Sequence, residues 1–310
     1  VDNASACYIG DAGVGMAPYL KETIRQADLV LGVNLRFGES TTDGWRVMRV
    51  PNPEQTLIHA HASDAEIGRI YQPDLAVHAG PNRLMSALAA AGTLGDWGDW
   101  RDRGRAGLEE MRASASQSGA LDMVRVCQWL DANLDEDAIV TNGAGNFAIW
   151  PSKFLTLSGG RRLLAPQSGA MGAGLPAAIA AKAVHSGRQV VCFAGDGDFQ
   201  MVLAEMGTAA QESLQPIILL FNNGMYGTIR AHQEQRFPGR VMATSLKNPD
   251  FVALARAYGF WAERVGETRD FTAAFRAAAR SSTGALIELM IDKDDITPFA
   301  RLEAMRRGET

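Results

Sequence analysis

Two short polar segments, with 24 residues between them, carry most of the chemical information in this chain: Gly195-Asp196-Gly197 and Asn222-Asn223. Mg²⁺ prefers oxygen ligands and is usually held in proteins by one or two side chains together with phosphate oxygens. Gly224 and Gly227, with the glycines of the first segment, would let main-chain N–H groups approach those phosphates. Each segment alone would be an ordinary turn or strand end. Together they predict a site for a divalent metal that carries a diphosphate.

Two predicted strands must bring these segments together. Residues 189–194 and 216–221 are apolar and β-prone, and the apolar residues between Phe199 and about Glu212 suit one face of a helix. This order of elements is a βαβ unit, whose parallel strands end at the same edge of a sheet. Asp196 and Asn223 would therefore meet where open parallel sheets bind ligands.

The sequence here resembles the thiamine diphosphate (ThDP) enzymes of the acetohydroxyacid synthase and benzoylformate decarboxylase type. Their diphosphate-binding domain carries Gly-Asp-Gly, a spacer of this length and then Asn-Asn. Residues 169–179, which read Gly-Ala-Met-Gly-Ala-Gly-Leu-Pro-Ala-Ala-Ile, resemble the family segment under the thiazolium ring, and residues 222–227 also follow the family pattern. The resemblance is close over residues 120–310 and looser over residues 8–92.

The resemblance implies which groups hold the metal and the diphosphate. The side chains of Asp196 and Asn223 and the carbonyl of Met225 would ligate Mg²⁺. Close main-chain approach at Gly195 would hold the diphosphate, together with the backbone N–H groups of four further residues: Gly197, Asp198, Tyr226 and Gly227. Relatives carry a small residue at position 198, so we expect the Asp198 carboxylate to turn away from the diphosphate and only its main chain to be used.

Further residues are implied in catalysis and cofactor binding. Met171 would lie under the cofactor and bend it so that its 4′-amino group meets C2, and the carbonyl of Gly169 would accept a hydrogen bond from that group; core packing is the alternative for Met171. Asn146 would reach the diphosphate or merely cap a helix, and Phe147 could contribute only its backbone N–H. His232, where acetohydroxyacid synthases carry tryptophan, would be a proton donor to substrate or a solvated helix residue.

Composition excludes several classes of partner. The net charge of −5 and the pI near 5.6 argue against nucleic-acid binding. No apolar run approaches the length of a membrane span. The 3 cysteines are widely spaced, which fits a reducing cytoplasm better than a disulfide framework or a zinc site.

The predicted fold class is α/β with parallel sheets. We expect residues 1–92 to be part of a Rossmann-like middle domain, residues 93–119 to be a linker with one amphipathic helix, and residues 120–310 to be a doubly wound ThDP diphosphate-binding domain. Within the first domain a strand is predicted near residues 46–50. The tail from residue 296 is predicted to form an exposed helix.

The resemblance implies a ThDP- and Mg²⁺-dependent decarboxylase or carboligase of 2-oxo acids, similar to acetolactate synthase. Nothing here resembles the family's aminopyrimidine-binding domain, so the chain is expected to be a fragment or a split subunit that is inactive alone. A second subunit, in a homodimer or homotetramer, would supply that domain and its glutamate. Flavin is not expected, because residues 58–63 and Gly80 lack the carboxylates that bind it in relatives. The alternatives are a simple decarboxylase of the benzoylformate type and a non-catalytic ThDP-binding or assembly module.

Overall fold

A computed structural model describes residues 2–13, 15–92, 95–115 and 117–309. The chain divides into two compact units, a smaller one of Ser5–Ala113 and a larger one of Val1–Ala4 with Ser114–Thr310. Both units are built on parallel sheets, which confirms the predicted α/β class. The domain bounds expected from the sequence stay a prediction, and residues 93, 94 and 116 of the expected linker lie outside the described residues.

The smaller unit contains a three-stranded parallel sheet in the order β1-β2-β3. Its elements are α1 (Pro18–Gln26), β1 (Leu29–Val33), β2 (Thr56–His61), β3 (Leu75–His78), α2 (Pro81–Ala91) and α3 (Gly98–Ser114). The strand predicted near residues 46–50 is wrong, because that segment forms turns and bends. The N–H groups of Arg46 and Val47 both donate to the Thr42 carbonyl, and Trp45 has a φ of 59°. Val47 and Met48 are buried in the core of this unit although they lie in a loop, which is why the segment resembled a strand.

The larger unit contains a six-stranded parallel sheet in the order β5-β4-β6-β7-β9-β8. Its strands are β4 (Ile139–Asn142), β5 (Arg162–Leu164), β6 (Val190–Gly195), β7 (Ile217–Asn222), β8 (Trp261–Val265) and β9 (Ala285–Met290). Its helices are α4 (Met123–Asn133), α5 (Ile149–Phe154), α6 (Gly174–Val184), α7 (Asp196–Gln200), α8 (Glu205–Gln211), α9 (Gly227–Arg236), α10 (Phe251–Ala257), α11 (Thr268–Ala279) and α12 (Leu302–Arg307).

Both faces of this larger sheet are covered. Phe193, Leu219 and Ile287 are register partners on β6, β7 and β9, and they belong to one buried cluster. The residues one position earlier on each strand belong to a second cluster on the opposite face. Every residue of β6 and β7 is buried. This arrangement explains why these strands read as continuous apolar runs, as strands buried on both faces do.

The helix between β6 and β7 is interrupted, although the sequence predicted one helix from residue 199 to about 212. The chain becomes helical at Asp196, leaves the helix after Gln200 and resumes at Glu205. In the interruption, N–H groups bond to carbonyls three residues earlier, as in a 3₁₀ turn. A Cβ atom on Gly172 would lie 2.9 Å from a methyl carbon of Val202, so the interruption places Val202 tightly against that glycine.

The tail was predicted to be an exposed helix, and that prediction is wrong for one face of α12. Leu302 and Met305 are buried in a small cluster with Met225 and Ala231. The opposite face carries charged residues exposed to solvent. None of the helices in the described part of the chain is both long and apolar enough to cross a lipid bilayer.

Candidate functional site

The carboxylate of Asp196 lies at the end of β6, in the first turn of α7. Gly195 pairs with Phe221, so β6 and β7 end side by side. Asp196 is 3% exposed, and burial raises the pKa of its carboxyl above the usual value. Among the described residues, no lysine, arginine or histidine forms an ion pair with it. A buried carboxylate without a cationic partner is costly, and a bound metal ion would offset that cost.

The end of β7 reaches this carboxylate directly. The Gly224 N–H donates to Asp196 Oδ2 at 2.8 Å, and the Met225 N–H donates to Asn223 Oδ1 at 3.1 Å. Gly224 has a φ of +67°, a left-handed conformation that glycine adopts without strain. Met225 is buried, and its neighbourhood is fixed by an antiparallel bridge to Ser245. The structure therefore brings Asp196 next to the segment that carries Asn223 and Met225.

The donors of this candidate metal centre are oxygen atoms of different types. Among the described residues there is no group of three or more histidines, cysteines, aspartates or glutamates that could hold a metal ion. One carboxylate, one amide oxygen and one carbonyl are the hard ligands that suit Mg²⁺ with phosphate oxygens, not a structural zinc site. The residues present therefore fit the predicted metal.

The predicted diphosphate-binding N–H groups are spread over two helix starts. Gly197 lies in α7, and Gly227 begins α9, which has Tyr226 as its N-cap and no side-chain capping bond. A Cβ atom on Gly197 would lie 2.5 Å from the Tyr226 ring, so these two turns approach each other closely. Two of the N–H groups have acceptors within the chain: Gly197 donates to Asp196 Oδ1 at 2.9 Å, and Tyr226 donates to the Thr244 carbonyl at 2.9 Å.

Asp198 directs its carboxylate toward two other loops. Oδ1 accepts hydrogen bonds from the Gly172 N–H at 2.7 Å and the Ala144 N–H at 3.2 Å. The residue is 3% exposed, and burial raises the pKa of its carboxyl. A Cβ atom on Gly143 would collide with this carboxylate. Asp198 therefore joins α7 to the loop after β4 and to the loop that contains Met171.

Asn146 and Phe147 occupy different environments despite being adjacent. The Asn146 N–H donates to the Thr228 hydroxyl at 3.1 Å, and that hydroxyl donates to Asn146 Oδ1 at 2.9 Å. Asn146 thus contacts the first turn of α9, where Thr228 lies. Phe147 is 8% exposed, and its ring packs 5.9 Å from that of Phe221. A Cβ atom on Gly195 would lie 2.7 Å from the Phe147 ring, so the strand end approaches this side chain.

The three residues predicted for catalysis are less enclosed. Gly169 is exposed, has a φ of +65°, and would have open space around a Cβ atom. Met171 is half-buried, two residues along the same loop. His232 is exposed on α9. The open space at Gly169 and the partial exposure of Met171 fit a surface that receives a cofactor, and the individual roles stay predictions.

Sequence reasoning missed Asn248, which contacts the candidate metal centre. Its Nδ2 donates to Asp196 Oδ2 at 2.7 Å and to Asn222 Oδ1 at 2.8 Å. Behind it, Asn222 Nδ2 donates to Glu288 Oε1 at 2.7 Å, and Arg264 Nε donates to Glu288 Oε2 at 2.7 Å. The one local signal was Glu288 itself, since a glutamate within the apolar strand 285–290 requires buried partners.

Comparison with known proteins agrees with this geometry. Residues 143–289 match the family profile "Thiamine pyrophosphate enzyme, C-terminal TPP binding domain", and residues 1–88 match "Thiamine pyrophosphate enzyme, central domain". The chain belongs to this family of thiamine pyrophosphate (ThDP) enzymes.

The similar proteins are longer than this chain. The acetolactate synthase large subunit of Parasynechococcus marenigrum is 27% identical over 304 residues, which cover 95% of this chain and 48% of that protein. The acetolactate synthase isozyme 2 large subunit of Escherichia coli is 28% identical over 296 residues, covering 92% and 52%. A solved structure, the thiamine diphosphate-dependent 4-hydroxybenzoylformate decarboxylase of Rhodococcus jostii, superposes with a TM-score of 0.70 at 26% identity, covering 91% of this chain and 51% of that one. The chain thus spans about half the length of the relatives it matches.

Proposed function

We propose that the larger unit holds Mg²⁺ and ThDP, and that the complete protein acts on 2-oxo acids as a decarboxylase or carboligase similar to acetolactate synthase. The observation that carries this proposal is the buried carboxylate of Asp196, without a cationic partner among the described residues and bonded to the N–H of Gly224. Asn223, the second side-chain ligand, precedes Gly224 on the same turn. Oxygen ligands from two adjacent strand ends are what a metal-bound diphosphate requires.

In this proposal each group of the site, from a side chain or from the main chain, has a defined role. Asp196, Asn223 and the Met225 carbonyl hold the metal, and the turns that begin α7 and α9 receive the diphosphate. Met171 supports the cofactor from below, and the Gly169 carbonyl accepts a hydrogen bond from its amino group. Bound ThDP supplies the electron sink for decarboxylation of a 2-oxo acid. The residues of this chain place the cofactor and prevent it from binding in other orientations.

A second subunit of a homodimer or homotetramer supplies the aminopyrimidine-binding domain and its glutamate, so this chain alone is inactive. The protein works in the cytoplasm, and flavin is not a cofactor. The 4-hydroxybenzoylformate decarboxylase among similar structures supports a second candidate, simple decarboxylation of an aromatic 2-oxo acid.

Calorimetric titration with ThDP in the presence and absence of Mg²⁺ tests the cofactor site. We expect Mg²⁺-dependent binding to the wild-type chain and at least a tenfold loss in Asp196→Asn, since second-sphere and ligand changes at metal sites cost about 10–100-fold in affinity. Asp270→Ala is the control, because Asp270 is an exposed residue on α11, and this variant should bind ThDP as the wild type does. Absence of binding by the wild type, also in the presence of the aminopyrimidine-binding domain, would instead favour a non-catalytic assembly module.

Product analysis separates the two reactions. The complete protein, incubated with pyruvate, benzoylformate or glyoxylate, should release CO₂ together with a condensed hydroxy-oxo product if it is a carboligase. Release of an aldehyde as the sole organic product identifies a simple decarboxylase.

A further inference from the structure

The side chain of Asn248 has one orientation that satisfies all its neighbours. Its Oδ1 accepts a hydrogen bond from Gln200 Nε2 at 2.8 Å, and its Nδ2 donates to Asp196 Oδ2 and Asn222 Oδ1. An ionised carboxylate can only accept hydrogen bonds. The atom that faces Asp196 must therefore be the amide nitrogen of Asn248, and Gln200 holds the amide in this orientation from the other side.

The hydrogen bonds to Asp196 are divided unequally between its two oxygens. Oδ2 accepts from the Gly224 N–H at 2.8 Å and from Asn248 Nδ2 at 2.7 Å. Oδ1 accepts from the Gly197 N–H at 2.9 Å. Each carboxylate oxygen has about two lone pairs. Oδ2 thus has both lone pairs engaged by donors from other residues, whereas Oδ1 has one such donor.

Asn222, which accepts the second hydrogen bond from Asn248, is itself held in place by Glu288 and Arg264. Asn222 accepts from Asn248 through Oδ1 and donates through Nδ2 to Glu288, which is 1% exposed. Arg264 in turn donates to the second oxygen of Glu288 at 2.7 Å. The Asp196 carboxylate requires the amide nitrogen of Asn248 to face it, and the Glu288 carboxylate requires the same of Asn222. Asn248 is therefore held rigidly, because turning its amide would leave buried groups without partners.

We propose that Asn248 is a positioning residue that restricts Asp196 to ligation through one oxygen and thereby favours Mg²⁺ over Ca²⁺. This inference rests on the proposed metal site. Mg²⁺ demands near-ideal octahedral coordination, whereas Ca²⁺ takes six to eight ligands and often binds both oxygens of a carboxylate. A carboxylate with one oxygen engaged by Gly224 and Asn248 suits the smaller ion. Removing the Asn248 donor frees a lone pair on Oδ2 and permits two-oxygen ligation.

The test compares the affinities for the two ions. Each metal is titrated by calorimetry into the wild-type chain and its variants in the presence of ThDP. For Asn248→Ala we expect Mg²⁺ affinity to fall about tenfold, as for lost hydrogen-bond partners of metal ligands, and Ca²⁺ affinity to change by less than about threefold. The ratio of the two affinities is the decisive quantity. A purely structural role for Asn248 would lower both affinities together.

Two further variants complete the experiment. Gln200→Ala leaves Asn248 in place but removes the group that orients its amide, so the affinity ratio should shift in the same direction by a smaller factor. Asn133→Ala, on α4, removes an amide that bonds the Trp129 carbonyl and should leave the ratio unchanged. Circular dichroism verifies that each variant is folded.

The outcomes are distinct. A shifted ratio in Asn248→Ala and Gln200→Ala, but not in Asn133→Ala, supports the inference. An unchanged ratio in both, with normal wild-type binding, overturns the inference and leaves the proposed function standing. A wild-type chain that binds ThDP with neither ion, also when the aminopyrimidine-binding domain is supplied, overturns both.

Discussion

Arg306 donates two hydrogen bonds to the carboxylate of Glu234, from Nε to Oε2 at 3.0 Å and from its terminal nitrogen to Oε1 at 2.6 Å. Glu234 is completely buried, and it also accepts the Gly239 N–H at 2.8 Å. This pair joins the last helix, α12, to α9, which begins directly after the turn that carries the candidate metal ligands Asn223 and Met225.

Replacing Arg306 with leucine should destabilise the larger unit. The change leaves a buried carboxylate with one backbone donor, and unpaired buried groups cost about 1–3 kcal/mol. Urea unfolding at neutral pH, followed by circular dichroism, measures the loss. Arg307→Leu is the matched control, because Arg307 pairs with the exposed Glu303 and Glu309. Equal stability of the two variants would contradict a specific role for the Arg306–Glu234 pair.

The same pair should make stability depend on pH. Hydrogen bonds from Arg306 lower the pKa of the Glu234 carboxyl below its usual value. Because this pKa is lower in the folded chain than in the unfolded chain, the pair stabilises the fold above the ordinary glutamate value of about 4.3. That contribution is lost as the pH falls through the lowered folded value. The stability difference between wild type and Arg306→Leu should therefore be full near neutrality and shrink in acid.

Asp198 should tolerate asparagine and not alanine. Both of its loop contacts, from Gly172 and Ala144, end on Oδ1. An asparagine can keep that oxygen in place, and it removes a charge whose burial is costly. We expect Asp198→Asn to be as stable as wild type or more so, and Asp198→Ala to lose about 1–3 kcal/mol in urea unfolding. Equal destabilisation by both changes would show that the charge, and not the acceptor, holds the loops.

Gly143→Ala should be destabilising because its methyl group would collide with the Asp198 carboxylate. Overpacking of this kind costs about 1–3 kcal/mol. In the double variant with Asp198→Ala the collision is removed, so the combined loss should be smaller than the sum of the two single losses. A double-mutant cycle of unfolding free energies measures this difference. Strict additivity would show that the two residues do not interact.

His232→Gln should leave stability unchanged within about 0.5 kcal/mol, since His232 is exposed on α9. The informative measurement is therefore kinetic and needs the complete enzyme. If His232 donates a proton to substrate, kcat should fall in the variant while KM changes little. An unchanged kcat would identify it as a solvated helix residue.

The sheet that carries the site could be predicted because its strands are locally unambiguous. Residues 190–195 and 217–222 are runs of buried residues, and parallel pairing follows from the helix between them. The edge at which Asp196 and Gly224 meet is a geometric result of that pairing.

Contacts between distant residues could not be predicted in the same way. Asn248 lies 52 positions from Asp196, in a segment without periodicity, and its role depends on how the chain returns to the sheet. The strand near residues 46–50 was predicted wrongly because a buried loop can have the same apolar composition as a strand. Val47 and Met48 are buried there without belonging to a sheet. The buried face of α12 was missed because Leu302 and Met305 form too short a stripe among arginines.

The pairing of Gly195 with Phe221 means that strand register, rather than spacer length, assembles the two polar segments. The turn at Glu212 and Ser213 is exposed, so an extra residue there would loop into solvent and leave the strand ends aligned. One residue added inside β7 would instead turn each following side chain to the other face of the sheet. Searches for distant homologues should therefore allow gaps at this turn and forbid them within the strands.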